Sequence, residues 1–451
     1  MEALVAQVQA LSNPNDLSQL HSVLKNAETV FTQNSQHIAA ALQALDPAEH
    51  SLGYAYFLHH LGKINLPVPD AGYIDNVTRF LMVCQPAQIQ VAPDIFCSVS
   101  RRLKDHLLSA HSPRRGVLPL RAGLAALQPS PEVLTPLHAD LCQICLLSKC
   151  YNAAAPVLRQ DIFDVAPQQT GCTPTDLFLY CYYGGMVCIG RKQYPRALEL
   201  LLQCLTAPAV AGNAIVAAAY KKYVLVCLLH AGQLLPLPKF TSPAVRHVIE
   251  SEARPYNDLA TAAASRNAER LRRVVEQHSA LFAADTNLGL VRQVLSSLAV
   301  RAIQRLTATF LTLSLADIAA HAGLAGGAAE AEERILRMVA AGQIHARIDG
   351  RSGMVRFADD TRTSSSSSGA AAAAAGGSGG SGGGGWDNVA GVAALDGRMR
   401  EVLELGRRLQ QAQEMVSTDR AYLSKVTARE RSKYDFGGLA AATSPSMAMA
   451  G

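Results

Sequence analysis

A chain of 451 residues is too long for one hydrophobic core, and a typical domain size of about 150 residues predicts roughly three structural units. Hydrophobic residues make up 49% of the sequence and charged residues 17%, which indicates globular units with ample apolar material to bury. The net charge of +5 is too small to predict a nucleic-acid partner by itself.

No membrane or secretory segment is expected. The longest uncharged stretch, residues 200–220, is interrupted by Pro208 and Gly212 and by polar residues. The first residues lack the basic and apolar segments of a secretory signal. The ten cysteines, spread between Cys84 and Cys227, are therefore expected to be reduced thiols of a helical core rather than disulfides.

The first 280 residues predict helix after helix, separated by Pro and Gly, without the alternation that strands require. A weak internal repeat aligns Tyr151 with Tyr194, an offset of 43 residues that is typical of two-helix solenoid repeats. In the second copy, Gly190 is expected to end a helix and Ala197 to allow close packing of the next one. Such repeats stack into a superhelix.

From residue 285 the pattern changes. A helix over residues 288–306 is followed by a β-like run, residues 307–313, and Ser314 is placed to cap a helix from Leu315. A second helix, residues 328–341, ends at Gly342, and two β-like runs, residues 344–348 and 354–357, flank a turn-rich segment. Helix, strand, helix, helix and β-hairpin in this order predict a winged helix.

A C-terminal assembly helix is predicted beyond a linker of Ser, Ala and Gly. An apolar stripe recurs every seven residues, and two internal glycines weaken an isolated helix by roughly 1 kcal/mol each. The helix is therefore expected to form against partners, although packing against the chain's own repeats is an alternative. The stripe consists of Leu395, Val402, Leu409, Val416 and Leu423.

The sequence predicts no set of residues that could form a catalytic or metal-binding site. The match Gly376-Gly377-Ser378-Gly379-Gly380 to a hydrolase elbow falls in the linker with no strand before it. His138, Cys142 and Cys145 lie at helical spacing among leucines, which favours core residues over a zinc site. The sequence holds no phosphate loop, no His-Glu-x-x-His and no His-x-His. We expect no enzyme activity, cofactor or metal.

Nucleic-acid binding is the competing function for a winged helix. A helix that enters the major groove should be basic, because neutralisation of phosphates dominates affinity. The predicted second helix instead carries three glutamates against two arginines, whereas Arg347, Arg351 and Arg356 leave weak phosphate contact open. These charges favour a protein-binding winged helix.

Helical repeats followed by a winged helix resemble the PCI module, which is shared by subunits of the proteasome lid, the COP-nine signalosome and translation initiation factor three. Residues 313–319, 334–344 and 348–357 carry this resemblance. Longer stretches are similar to the family of the third signalosome subunit, and the tail is similar to its plant form; a proteasome-lid subunit is the alternative. These stretches are residues 182–186, 220–226, 237–242, 287–291, 303–307 and 422–436.

The resemblance implies a non-catalytic scaffold of the complex that removes Nedd8 from cullins and so regulates cullin–RING ubiquitin ligases. Winged helices of that family associate through their edges, and C-terminal helices gather into a bundle. We therefore expect contacts with other signalosome subunits, in cytoplasm and nucleus, through the stripe and through a partner-facing edge strand. That strand consists of Met354, Val355, Arg356 and Phe357.

The predicted fold class is mainly α: a right-handed superhelix of helical hairpin repeats (TPR-like), followed by a winged-helix (PCI) module and a C-terminal helix. The predicted units are N-terminal repeats over residues 1–175, the helical part of the PCI module over 176–286, the winged helix over 287–360, the linker over 361–387, the assembly helix over 388–436 and a flexible tail over 437–451.

Overall fold

The computed structural model describes residues 1–13, 16–63, 70–208, 212–324, 326–357, 389–420 and 423–424. The chain divides into two compact units, Met1–Ser366 and Ser367–Gly451. The linker expected over residues 361–387 and the tail expected over 437–451 lie outside the described residues.

The first unit begins with a long series of helices. Prolines at the first helical turn open many of them, because proline has no backbone N–H to leave unsatisfied there. Two 3-10 helices, Ser35–His37 and Pro113–Gly116, lie among them. The first twelve α-helices are α1 (Glu2–Leu11), α2 (Leu17–Asn26), α3 (Glu28–Gln33), α4 (Ile38–Gln43), α5 (Ser51–Lys63), α6 (Ala71–Val83), α7 (Pro86–Ile89), α8 (Pro93–Ser109), α9 (Val117–Leu127), α10 (Pro136–Leu147), α11 (Tyr151–Arg159) and α12 (Pro167–Thr170).

The helical series continues without a break in packing. The Thr173 side chain and the Asp176 carboxylate form a reciprocal capping box at the start of α13, and Asn213 caps α15. The next eight helices are α13 (Pro174–Gly190), α14 (Tyr194–Thr206), α15 (Ala214–His230), α16 (Pro243–Glu252), α17 (Arg254–Ala264), α18 (Ala268–Gln277), α19 (Ser279–Ala284) and α20 (Leu288–Thr309).

The internal repeat is confirmed by equivalent helix starts and turns. Tyr151 and Tyr194 are the first residues of α11 and α14. Lys149 and Lys192, two residues before them, both adopt left-handed backbone, with φ of 56° and 58°. Each turn is closed by the same long backbone hydrogen bond onto the end of the preceding helix, of 2.9 Å in both copies. Ala197 is fully buried, as close packing of α13 and α14 requires.

The winged helix follows from α20. It contains β1 (Thr312–Ser314), α21 (Leu315–Ala322), α22 (Gly327–Ala340), β2 (Ala346–Asp349) and β3 (Met354–Phe357). The order of elements confirms the predicted winged helix, and the Asp317 N–H donates to the Ser314 hydroxyl at 3.1 Å, as predicted for the cap of α21. The β-like run at residues 307–313 was predicted too long: Thr307, Ala308 and Thr309 belong to α20, and β1 has three residues.

Two hydrophobic cores share one helix. The core of the repeats extends from Leu4 to Val294, and a separate core fills the winged helix around Ile318, Ile335 and Val355. α20 contributes Val294 to the first core and Ile303 to the second. The winged helix is therefore anchored to the repeats by a continuous helix.

A partly buried polar network fixes the start of α20 against the repeats. The Asp285 carboxylate accepts from Lys221 Nζ at 3.0 Å and from the Tyr256 hydroxyl at 2.8 Å. The Asn287 amide donates to the same Tyr256 oxygen at 2.6 Å. Because these residues come from α15, α17 and the turn before α20, the network sets the orientation of the winged helix on the repeats.

Candidate assembly surfaces

The winged-helix sheet has the order β1-β3-β2, with both pairs antiparallel. β3 is therefore the central strand, and the prediction that Met354–Phe357 form a free edge is wrong. The physical reason is that β1 pairs along the other side of β3, with Leu313 opposite Val355. The side chains of Val355 and Phe357 are also buried in the winged-helix core, whereas Met354 and Arg356 are exposed.

One hydrogen bond shows toward which neighbouring strand the backbone N–H and carbonyl groups of each β3 residue point. The Phe357 N–H donates to the Leu311 carbonyl at 2.8 Å, which points the polar groups of Phe357 toward the β1 side. Because successive residues of an antiparallel strand point alternately to either neighbour, Val355 also faces β1 and Arg356 faces β2. Neither side of β3 is free to pair with another chain.

β2 is an edge strand of this sheet, and the side of β2 that faces away from β3 is free. The Asp349 carbonyl accepts from the Gly353 N–H at 2.9 Å, so Asp349 and Arg347 face β3. By the same alternation, the backbone groups of Ala346 and Ile348 face away from the sheet. Among the residues that the structure describes, no further strand lies beyond β2. This edge offers backbone donors and acceptors to a partner strand.

The outer face of the sheet is basic. Arg347 and Arg356 are exposed and lie directly opposite each other on β2 and β3. Like charges on directly opposed residues destabilise a sheet, so this pair is compatible with an acidic partner on that face. Next to it, the Asp349 carboxylate accepts from the Ser352 hydroxyl at 2.6 Å and the Arg351 N–H at 3.1 Å. These hydrogen bonds lower the pKa of Asp349 and order the wing turn.

The helix that would enter a DNA groove is α22, and its charges are paired within the helix. Arg334 binds Glu330 at 2.8 Å, and Arg337 binds Glu333. Leu336 is 54% exposed on the same helix. A surface with neutralised arginines and an exposed leucine suits a protein partner better than a phosphate backbone.

Hydrogen bonding and burial at α10 favour core residues over a zinc site. His138 Nδ1 accepts from the Thr135 N–H at 3.1 Å, so the imidazole caps its own helix. The Cys142 and Cys145 thiols are buried, as the core interpretation predicts, and burial raises the pKa of Cys145 to about 11. In the described part of the chain, no three His, Cys, Asp or Glu side chains are placed to hold a metal ion. All ten cysteines are free.

Because His138 is buried, we expect the folded protein to lose stability in acid. Burial lowers the pKa of His138 to about 4, against 6.5 for an unfolded histidine. Between these values the unfolded chain binds a proton that the native chain excludes, so the free energy of unfolding falls as pH decreases from 6.5 toward 4. This histidine should contribute a loss of about 2 kcal/mol by pH 5. Urea unfolding of the full chain at pH 7 and pH 5 measures the loss.

A matched pair of variants tests whether His138 causes the loss of stability in acid. His138→Asn, which preserves a hydrogen-bond acceptor near the helix start, should reduce the difference between the two pH values. His247→Asn, at an exposed position of α16, should retain the full difference. Equal acid sensitivity of His138→Asn and the parent protein would show that His138 is not responsible.

The second unit contains α23 (Val389–Thr418), whose 30 residues would span about 45 Å. Of the predicted stripe, Val402, Leu409 and Val416 have exposed side chains on this helix, at 67%, 70% and 50%. Leu395 lies on α23, but its side chain is outside the described part, and Leu423 lies beyond the end of the helix and is 46% exposed. The predicted partner contacts of these residues stay a prediction.

Ion pairs stabilise α23 without covering its apolar residues. Glu404 accepts from Arg407 at 2.8 Å and from Arg408 at 3.3 Å, and Arg400 pairs with Asp396. Exposed pairs of this kind contribute little to the stability of a helix, because solvent screens their charges. Since one helix cannot bury its own apolar side chains, the gain in stability must come from another surface packing on them.

These features define a class of protein. It combines stacked helical repeats with a winged helix whose sheet edge is open, and it presents a separate helix with an exposed apolar stripe. None of the helices in the described part of the chain combines the length and the apolar character of a membrane span.

Comparison with known proteins identifies the family. A family model described as COP9 signalosome complex subunit 3, N-terminal helical repeats, matches residues 14–245, and the PCI domain model matches residues 275–359. The chain is 39% identical to COP9 signalosome complex subunit 3 of Arabidopsis thaliana over 440 residues, covering 97% of this chain and 96% of that protein. It is 34% identical to the Dictyostelium discoideum protein of the same name over 366 residues, covering 79% and 84%. The chain belongs to the COP9 signalosome subunit 3 family.

Proposed function

We propose that this chain is a non-catalytic scaffold subunit of a signalosome that removes Nedd8 from cullins and thereby regulates cullin–RING ubiquitin ligases. Membership of the subunit 3 family supports assembly of this chain into a signalosome. The free edge of β2 is the observation that supports a scaffold role within that complex. The isopeptidase chemistry resides in another subunit. The chain acts in cytoplasm and nucleus.

The β2 edge is the proposed contact with a neighbouring subunit. Ala346 and Ile348 point their backbone N–H and carbonyl groups outward, so an added strand would form a regular antiparallel or parallel ladder there. The β1 edge is shorter, and α21 begins directly after Ser314, which limits the length of any strand paired with it. The exposed Arg347 and Arg356 favour acidic side chains on that neighbour.

Ala346→Pro tests this contact. Proline at an outward-facing edge position removes a donor that the sheet itself does not use, so the winged helix should remain folded. Loss of one or two intermolecular backbone hydrogen bonds should weaken the assembly about tenfold. The measurement is quantitative recovery of the other signalosome subunits with the tagged full chain, together with its melting temperature.

The matched control is Thr312→Pro, which removes an outward-facing donor from the opposite edge of the same sheet. It should recover the other subunits as the parent chain does. Unchanged recovery with Ala346→Pro, at an unchanged melting temperature, would eliminate the β2 edge as the contact. Loss with Thr312→Pro alone would transfer the contact to β1.

A further inference from the structure

A cleft of about 270 Å³ lies where the winged helix meets the repeats. Its walls come from α18, α20, α21, α22 and the turn after α21. Pockets for small molecules usually enclose about 300–1,000 Å³, so this cleft suits one or two protein side chains better than a cofactor. Three leucines and three arginines dominate the walls: Leu295, Leu298, Leu324, Arg272, Arg292 and Arg334.

Two of these arginines hold opposite walls of the cleft together. Arg272 on α18 donates to the Gly323 carbonyl at 3.3 Å, and Arg334 on α22 donates to the Ser296 carbonyl at 3.4 Å. These hydrogen bonds fix the separation of the walls, so the cleft exists before any partner binds. Because a guanidinium has five N–H donors, Arg272 keeps most of its donors for a further acceptor.

The charges around the cleft are unbalanced. Among the described residues that line it, none is acidic. Glu330, on the same helix as Arg334, binds that arginine at 2.8 Å and accepts from the Gly326 N–H at 2.9 Å. Arg272 and Arg292 have exposed side chains, and neither forms an ion pair in the part of the chain that the structure describes. Three arginines therefore face one carboxylate, which is already engaged.

We propose that this cleft binds a segment of a partner protein in which a large apolar side chain is flanked by acidic residues. The leucines bury the apolar side chain, and the exposed Arg272 and Arg292 pair with the carboxylates beside it. A small anion alone would leave the leucines in water, and a wholly apolar segment would leave both arginines unbalanced. The site recognises side chains and is independent of the β2 edge, which offers backbone groups.

The binding test uses the full chain and a short fluorescent peptide in which one Phe is flanked on both sides by glutamates. Fluorescence anisotropy should show saturable binding that weakens as salt screens the charges. Replacing the Phe of the peptide by Ser should weaken binding about tenfold, because burial of the ring is lost. Replacing its glutamates by glutamines should weaken binding by a similar factor.

Variants of the chain separate the cleft from general charge. Arg292→Glu should weaken peptide binding at least about tenfold, with an unchanged melting temperature because Arg292 forms no ion pair. Ser296→Phe, at an exposed position of the cleft wall, should fill the cleft and weaken binding as well. Arg270→Glu is the matched control: it makes the same change in net charge at an exposed position of α18 that does not line the cleft, and it should bind the peptide as the parent chain does.

Three results would overturn the site. They are no saturable binding of the peptide by the parent chain, equal loss of binding in Arg270→Glu and Arg292→Glu, and equal affinity for the peptides with Phe and with Ser. Duplex DNA that displaces the peptide more effectively than unlabelled peptide does would also overturn it, because the arginines would then serve phosphate. Assembly through β2 is measured separately, so none of these results bears on the proposed scaffold function.

Discussion

Deleting residues 388–451 is expected to leave residues 1–360 folded while removing the chain from its complex. The two compact units divide near Ser366, and both hydrophobic cores of the first unit end before the deletion begins. The deleted segment holds the exposed apolar residues of α23. Burying each Leu or Val of the stripe against a partner should contribute roughly 1.5–3 kcal/mol, so recovery of partners should fall at least a hundredfold.

The measurement pairs thermal unfolding of the truncated chain with quantitative recovery of the other subunits. A point variant tests the stripe without removing the helix: Leu409→Glu should reduce recovery, and Gln410→Glu, one residue further on an exposed position, should not. A truncated chain that loses its own cooperative unfolding would favour the alternative in which the stripe packs on the chain's own repeats. Normal assembly of the truncated chain would refute a helical bundle.

Val355→Asp should unfold the winged helix. Val355 is fully buried at the centre of the three-stranded sheet, where Leu313 and Ile348 lie opposite it. A carboxylate at this position has no cationic partner in the core and must either protonate or draw in water. We expect a loss of about 3–5 kcal/mol, which is enough to unfold a small module.

Hydrogen exchange locates this damage within the chain. Amides of β1, β2 and β3 should lose protection in Val355→Asp, while those of α13, α14 and α15 should retain it because the repeats have their own core. Arg356→Asp is the matched control on the exposed face of the same strand, and it should keep native protection. Protection of β3 that survives in Val355→Asp would contradict the central, buried position of this strand.

Local signals in the sequence were sufficient for much of the fold. The repeat of Tyr151 and Tyr194 predicted two equivalent helix starts, and Ser314 predicted the cap of α21. These features depend on residues within a few positions of one another, such as the Ser314 hydroxyl and the Asp317 N–H. The family followed from longer stretches of similar sequence and is confirmed by the relatives.

The turns before α11 and α14 show where local reasoning reached its limit. A glycine is the usual sequence signal for a left-handed residue after a helix, yet Lys149 and Lys192 adopt this backbone conformation here. Lysine in this conformation costs more than glycine, and the helix packing on either side offsets that cost. Lys149 and Lys192 each lie two residues before a tyrosine of the repeat, and this equal spacing was the sequence signal that could have located the turns.

Sequence patterns predict which segments are helices and where the winged helix lies, because periodicity, caps and turn residues act over short distances. The family was predicted from the similarity of longer stretches. The tertiary structure alone decided that β3 is central, since strand order depends on β1 pairing across more than forty residues. It also decided that the imidazole of His138 caps α10. Contacts between distant residues depend on the summed packing of every element between them, and no local pattern encodes that sum.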